Sequence, residues 1–391
     1  MRGTPDTEQA TTFSLVQDPL LRLQRALRLA PRAGFGAPRR AILLALVTWL
    51  PIMVWAVATG RLQPGSGPEN LLRHFGVHVR CLLALPLLVM SEPFADRIVG
   101  FITANFLQSG LVRPEDRSRF DAVIRSVERW RDSWVVWLAL AGLVVLTTVT
   151  GDLRVKDADV LSWAQTPEGR GFGGSWFLVV VRPLFLLLLI AWLWRLLLTA
   201  LLFRRIAALE LQLVPSHPDR AGGLGFIEQF PAAFSLVVLA LSSVVSAHLG
   251  HQVLAHGVHV TQLKGPMAGL AVLLAVIFLS PLLAFSGPLR GVRRRGRFEY
   301  GTLAGRHARG VHARWVQGRP VADEAILAAP ELGAAADVAT LYDLGTRIRS
   351  FPIGKTSLMA VLVPALLPML VVVSLEVPLK EILLKILGAI A

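Results

Sequence analysis

Residues 176–203, WFLVVVRPLFLLLLIAWLWRLLLTALLF, decide the fold class of this chain. Among these 28 residues, the charged side chains are Arg182 and Arg195. An α-helix rises about 1.5 Å per residue, so about 20 apolar residues cross the hydrocarbon core of a bilayer. The stretch is too long and too apolar for an ordinary core helix of a soluble protein, and it predicts a transmembrane helix.

Six further apolar runs of spanning length lie on either side of this one. They cover residues 41–59, 77–99, 134–150, 231–249, 267–289 and 357–375. The whole composition agrees, because 54% of the 391 residues are hydrophobic and 17% are charged, where a soluble protein carries about 25% charge. The predicted fold is all-α, a polytopic transmembrane helical bundle of about seven spans with helical cytosolic loops.

Basic residues cluster in alternate loops, and this sets the expected orientation. Seven arginines precede the first run, and twelve Lys and Arg residues lie between Arg290 and Lys355. The loop between the fifth and sixth runs holds Lys264 alone. Loops rich in Lys and Arg stay in the cytoplasm. We therefore expect a multi-pass protein of the bacterial inner membrane, with the N-terminus in the cytoplasm and the C-terminus outside.

The same pattern divides the chain into segments. We expect a cytosolic N-terminal segment at 1–40 and spans one to six within 41–289, with cytosolic loops at 100–133 and 204–230. A basic cytosolic segment at 290–356 follows, and 357–391 holds the last span and an amphipathic tail. The net charge is +14, and the basic residues cluster just outside the apolar runs. This position favours anionic lipid over nucleic acid as the partner of the basic residues. The expected partners are therefore the lipid bilayer and, as an open option, further copies of the chain.

The most unusual segment is 211–226, LQLVPSHPDRAGGLGF, in the loop between the fourth and fifth spans. His217 and Asp219 lie on a turn that prolines constrain, and they are suited to a metal or a proton relay. Gly222, Gly223 and Gly225 permit a backbone whose amides cradle an anion. The alternative is a rigid turn in which Asp219 caps the next helix.

Ionisable residues within predicted spans are functional candidates, because a charge in hydrocarbon is costly. Arg80 and Arg182 both lie toward the outer side and are candidates for binding or gating an anion. Glu92 and Asp96 lie near the inner end of the second span, where the neighbouring Arg97 is a candidate partner.

Four histidines lie at the outer end of the fifth span, in HLGHQVLAHGVH at 248–259. His248 and His251, and likewise His256 and His259, are three residues apart and share a helical face. Imidazoles in this arrangement are candidate zinc or copper ligands. The alternative is a set of interfacial histidines in a wet loop.

HPDRAGGLGF at 217–226, RIRSFPIGKTSLMAVLVPALLPML at 347–370 and the closing VPLKEILLKIL resemble a group of uncharacterised bacterial polytopic inner-membrane proteins with an HPDxxGGLGF motif. The resemblance covers roughly the second half of the chain. It implies a bacterial inner-membrane location and a Gly-rich turn that matters, and it implies no activity.

Three functions remain open from the sequence. The first is a channel or transporter for a small ion or anion, favoured by proline-broken spans and intramembrane arginines. The second is a non-catalytic membrane scaffold or sensor subunit that presents its basic loops to another protein. The third is a membrane-embedded enzyme, which ranks last because we find no nucleophile or paired-acid motif. The sequence specifies no cofactor.

Overall fold

The computed structural model describes residues 13–31, 34–62, 70–154, 162–166, 169–320 and 335–377. Within these ranges the chain is a helical bundle, which confirms the predicted all-α fold. The predicted amphipathic tail falls mostly beyond 377 and so lies outside the described residues.

The helices follow the apolar runs and extend beyond them. They are α1 (Pro19–Ala26), α2 (Ala37–Ala58), α3 (Phe75–His78), α4 (Leu85–Gln108), α5 (Arg117–Arg131), α6 (Trp134–Arg154), α7 (Phe172–Trp176), α8 (Arg182–Ala207), α9 (Ser235–His256), α10 (Val260–Leu279), α11 (Ser286–Val311), α12 (Ala335–Thr346) and α13 (Lys355–Val373). A π-helical segment joins α3 to α4 at Val79–Ala84, and another joins α7 to α8 at Phe177–Val181. A third π-helical segment, His312–Val316, follows α11. Two short strands, β1 (Gln165–Thr166) and β2 (Gly169–Arg170), pair antiparallel.

Six helices are long and apolar enough to cross a membrane, and a seventh is added if the bent pair Pro114–Arg131 and Trp134–Thr150 forms one span. This agrees with the seven predicted spans, and the chain is a multi-pass membrane protein. We name the two ends of the bundle by their residues. The arginine end carries Arg113, Arg220, Arg293 and Arg349, and the histidine end carries His74, His248, His251 and His256.

The sixth span continues far past the apolar run that predicts it. From Val260 to Val316 the chain is helical over 57 residues. Its last α-helix, α11, runs from Ser286 to Val311, well beyond the apolar run at 267–289. Its buried face, which includes Val292 and Gly296, packs against residues of the turn at 211–226 and of α12. Tertiary packing of this kind stabilises a helix that its polar composition alone would not.

Aromatic rings fill the core near the arginine end. Phe106 stacks on Phe285 with ring centroids 5.8 Å apart, and Phe203 contacts Phe285 at 5.5 Å and Phe230 at 5.0 Å. Such ring pairs add stability beyond the area that they bury. This part of the bundle is therefore dry and closely packed.

A buried ionic cluster lies beside this aromatic core. Arg195 of α8 donates from Nε and Nη2 to Oδ2 of Asp18, at 3.0 and 2.8 Å. Its Nη2 also lies 3.4 Å from Oε1 of Glu92, and Arg40 donates from Nη1 to Oε2 of Glu92 at 2.5 Å. All four side chains are at most 4% exposed. Two positive and two negative charges cancel, which allows the cluster to stay in a low-dielectric interior.

The cluster and Asp96 together hold the N-terminal segment in the bundle. Asp96 accepts a hydrogen bond from the Ser14 hydroxyl at 2.6 Å and from the backbone N–H of Leu15 at 3.0 Å. Leu15 and Val16 are fully buried. Residues 13–18 therefore form part of the core at the arginine end. The sequence favoured Arg97 as the partner of Glu92 or Asp96, and this expectation is wrong. Both acids are bound instead by groups from α2, α8 and the N-terminal segment.

The charge balance of the cluster predicts a double-mutant result. Asp18→Ala leaves two arginines against Glu92 alone, and breaking a buried pair costs about 3–5 kcal/mol. We expect a large fall in the melting temperature of the purified protein. Adding Arg195→Met restores neutrality by leaving Arg40 with Glu92, so the double variant should melt above Asp18→Ala alone.

Glu210→Gln is the matched control, because Glu210 is 78% exposed and its pair with Arg113 spans 3.7 Å. Surface pairs of this kind contribute about 0–1 kcal/mol, so this variant should melt close to the wild type. A double variant less stable than Asp18→Ala would show that the cluster does not act through charge balance.

Candidate functional site

The turn at 211–226 folds around the carboxylate of Asp219. Oδ1 accepts from the backbone N–H of Ala221 at 2.8 Å, and Oδ2 accepts from Gly223 at 3.1 Å and from Gly225 at 2.8 Å. Nδ1 of His217 lies 2.8 Å from Oδ1. The glycine-rich amides thus surround an anion, and in this structure the anion is the chain's own carboxylate.

Backbone geometry explains two of the three glycines. Gly222 and Gly223 have φ values of +66° and +101°, a region that side chains with a Cβ rarely adopt. Gly225 packs directly against the Asp219 side chain, where an added Cβ would lie 3.0 Å from it. The turn therefore has the geometry of an Asp-centred loop.

The same turn anchors the segment that leads into α13. The backbone N–H of Arg349 donates to the carbonyl of Arg220 at 2.9 Å, and its side chain binds Glu228 at 2.5 Å. Ser357, in the first turn of α13, donates to the carbonyl of Glu228 at 2.8 Å. Two of the three sequence strings that carry the resemblance, 217–226 and the start of 347–370, thus meet at the arginine end. The third, VPLKEILLKIL, lies almost wholly outside the described residues.

Burial alone would raise the pKa of Asp219, but the amides of Ala221, Gly225 and Gly223 and the contact with His217 outweigh it and hold this pKa below its ordinary value. A depressed folded-state pKa stabilises the fold above the unfolded value, about 3.9, and this contribution is lost as pH falls through the folded pKa.

We expect Asp219→Asn to lower the melting temperature at pH 7, because an amide turns an N–H group toward backbone donors. The difference from the wild type should shrink as the pH falls from about 4 through the lower folded-state pKa of Asp219, where the wild-type carboxylate becomes protonated. Thermal unfolding across this pH range measures it. Asp343→Asn, in an exposed pair with Arg347, is the control and should change little. A pH-independent deficit in Asp219→Asn would contradict the role of the charge.

At the histidine end, a cavity of about 230 Å³ collects basic side chains from three segments. Its lining includes Arg80, His74, His248, His251 and Phe177, with no Asp or Glu among the described residues. The Arg80 guanidinium carbon lies 5.7 Å from the centroid of the Phe177 ring. The lining therefore combines one arginine with three histidines.

The two π-helical segments place Arg80 and Arg182. Arg80 lies within the first segment, and Arg182 directly follows the second. Each segment is followed within two residues by a proline, Pro86 or Pro183, which lacks the N–H that an α-helix needs. Hydrogen bonds that span five residues replace the α-helical pattern, as from Leu85 to Arg80 and from Arg182 to Phe177. Single π-helical turns of this kind are frequent at functional sites.

Arg80 and Arg182 differ from the arginines of the buried cluster. Among the described residues, no carboxylate lies within ion-pairing distance of either one. Each is partly exposed rather than buried. The two arginines therefore keep a positive potential at this end of the bundle.

The four histidines of 248–259 are divided between different contacts. The His251 ring lies 5.8 Å from that of His256 and 5.1 Å from that of His74, between centroids. His248 contacts Gln252 at 3.3 Å, and Nδ1 of His259 lies 3.6 Å from a Glu376 oxygen. Within the described part of the chain, no group of three His, Cys, Asp or Glu residues is arranged to hold a metal ion. Metal binding by this set stays a prediction.

His74, in the segment before α3, also lines the cavity, although the sequence pattern did not predict it. The signal was present in HFGVHVR at 74–80, where His74 and Arg80 flank His78. His78 itself is occupied on both sides, by the Trp49 indole at 3.0 Å and by the Leu71 carbonyl at 3.1 Å. Its role is therefore structural.

Comparisons with models of known protein families, with characterised proteins and with solved structures found no match to this chain.

Proposed function

We propose that this chain is a transport protein of the bacterial inner membrane that takes up an anion at the histidine end, through a site centred on Arg80. The observation that carries the proposal is the cavity in which Arg80 meets three histidines without an acidic residue in the described lining. An unneutralised arginine within a span is costly in hydrocarbon, and a bound anion offsets that cost.

The distribution of basic residues gives the direction of this proposal. The arginine end carries the basic-rich loops, so the positive-inside rule assigns it to the cytoplasm. The N-terminus then lies in the cytoplasm, and the cavity opens toward the outer side. Arg182, which directly follows the second π-helical segment, is a second positive group at this end of the bundle.

The arginine end is closed in this structure, which fits a carrier or a gated channel. Residues 13–18 fill the space between α4 and α8, and the charges of Arg40 and Arg195 are neutralised by Glu92 and Asp18. Passage of an anion requires this end to open. The N-terminal segment is the element whose displacement would open it.

A scaffold or sensor subunit is the second candidate, and α11 supports it. This helix carries Arg294, Arg295 and Arg297 and packs against α12. Two exposed aromatic residues follow them, Phe298 in α11 and Trp315 in the π-helical segment that continues it. A basic helical pair of this kind is suited to a protein partner. An enzyme centred on Asp219 has less support, because the three backbone amides already occupy its carboxylate.

Anion flux in proteoliposomes tests the proposal. The wild type should release chloride, sulfate or phosphate faster than empty liposomes do. We expect Arg80→Gln to reduce the flux about tenfold, the effect of losing roughly 1.4 kcal/mol of favourable interaction. Arg80→Lys keeps the charge and should retain more of the flux.

Arg294→Gln is the matched control, since Arg294 is an exposed arginine on α11 at the other end of the bundle. It should leave the flux unchanged. Wild-type flux no greater than that of empty liposomes would overturn the transport proposal and leave the scaffold as the better candidate.

A further inference from the structure

An apolar groove of about 370 Å³ adjoins the Arg80 cavity. The segment that includes Phe75 and Leu83 forms one wall, α9 contributes Gly250, and α13 contributes Pro368 and Val371. At Gly250, an added Cβ would be in van der Waals contact with Val372 of α13 and with Leu375 just after it, at 3.7 and 3.8 Å, so a larger side chain at this position would extend into the groove. The groove lies within the apolar part of the spans and has the character of a site for a hydrocarbon chain.

The groove and the Arg80 cavity share one lining residue. Ala247 of α9 lines both. A ligand that lies across Ala247 has one part beside Arg80 and His248 and another part in the groove. The two cavities together therefore match a molecule with a charged head and an apolar chain.

Ser246 supplies a polar group inside the groove. Its side chain is 3% exposed, and its hydroxyl has no hydrogen-bond partner in the described part of the chain. Other hydroxyls in the spans donate to the carbonyl four residues earlier, as do those of Thr48, Ser91, Thr103, Thr199 and Ser243. A buried hydroxyl without a partner is unfavourable, so Ser246 is suited to an acceptor atom on a ligand.

We propose that the anion taken by this site is amphiphilic, a phosphate or carboxylate head on a single alkyl chain. The head binds at Arg80 and His248, the chain lies in the groove between α9 and α13, and Ser246 donates to an oxygen near the head. This rests on the proposed function, since it names the substrate class of the same Arg80 site.

Competition against inorganic anion flux in proteoliposomes tests the substrate class. Dodecyl phosphate should inhibit at a concentration about tenfold or more below that for butyl phosphate, because the longer chain buries more apolar surface. Dodecyl phosphate also partitions into the lipid itself, so the wild-type difference must be compared with that of variants. Gly250→Leu places a larger side chain in the groove and should reduce the difference.

Gly269→Leu is the matched control, because Gly269 lies on α10 with open space where its Cβ would be. It should keep the wild-type difference. Ser246→Ala removes the hydroxyl with little change in volume and should weaken inhibition by dodecyl phosphate, which covers the case in which Gly250→Leu fails to fold.

The outcomes separate the two proposals. If inorganic anions cross but chain length has equal effects in wild type, Gly250→Leu and Gly269→Leu, the amphiphile is wrong and transport stands. If no anion crosses, transport is wrong, and binding of radiolabelled dodecyl phosphate to the purified protein decides the rest. Binding that Gly250→Leu and Ser246→Ala weaken would support the amphiphile site, and binding that neither weakens would overturn it.

Discussion

Arg195 carries its charge into a part of the bundle that is closed to water, and the surrounding segments are arranged so that this charge is neutralised. Its guanidinium is 1% exposed and binds Asp18 and Glu92, while Arg40 completes the balance. An isolated ion in such a place would cost several kcal/mol. The four groups come from the N-terminal segment, α2, α4 and α8. The cluster therefore fixes which segments meet at the arginine end, and it makes residues 13–18 part of the core.

The carboxylate of Asp219 organises the outer surface of the same end of the bundle. Asp219 accepts three backbone hydrogen bonds within its own turn. The segment 349–357, which leads into α13, packs against this turn, beginning with the hydrogen bond from Arg349 to Arg220. The string HPDRAGGLGF is distinctive because each part has a place in this arrangement: the acid supplies the charge, and the glycines supply the backbone angles and the space. An anion from solution would have to compete with Asp219 for these amides. Asp219, like Asp18 and Glu92 in the buried cluster, thus accepts hydrogen bonds from donors that the fold would otherwise leave unpaired.

The parts that sequence could predict are those set by local composition. Apolar runs gave the spans, because crossing a bilayer depends on length and hydropathy alone. The partners of the buried charges were not predictable, since Arg195 and Asp18 are 177 positions apart. Arg97 was the expected partner for the acids of α4 because it is adjacent in sequence, yet the acids are bound by distant groups. The length of α11 was missed for a similar reason, as its buried face is set by α12 and the turn at 211–226.

Arginine occurs at both ends of the bundle, and the arginines at the two ends differ in whether acids of this chain pair with them. At the arginine end, Arg40 and Arg195 are neutralised by acids of this chain, so their field is cancelled. At the histidine end, Arg80 and Arg182 follow or lie within π-helical segments that prolines impose, and no described carboxylate reaches them. A protein gains nothing in stability from an unneutralised charge in a span. The anion proposed to bind at Arg80 would offset the cost of this charge.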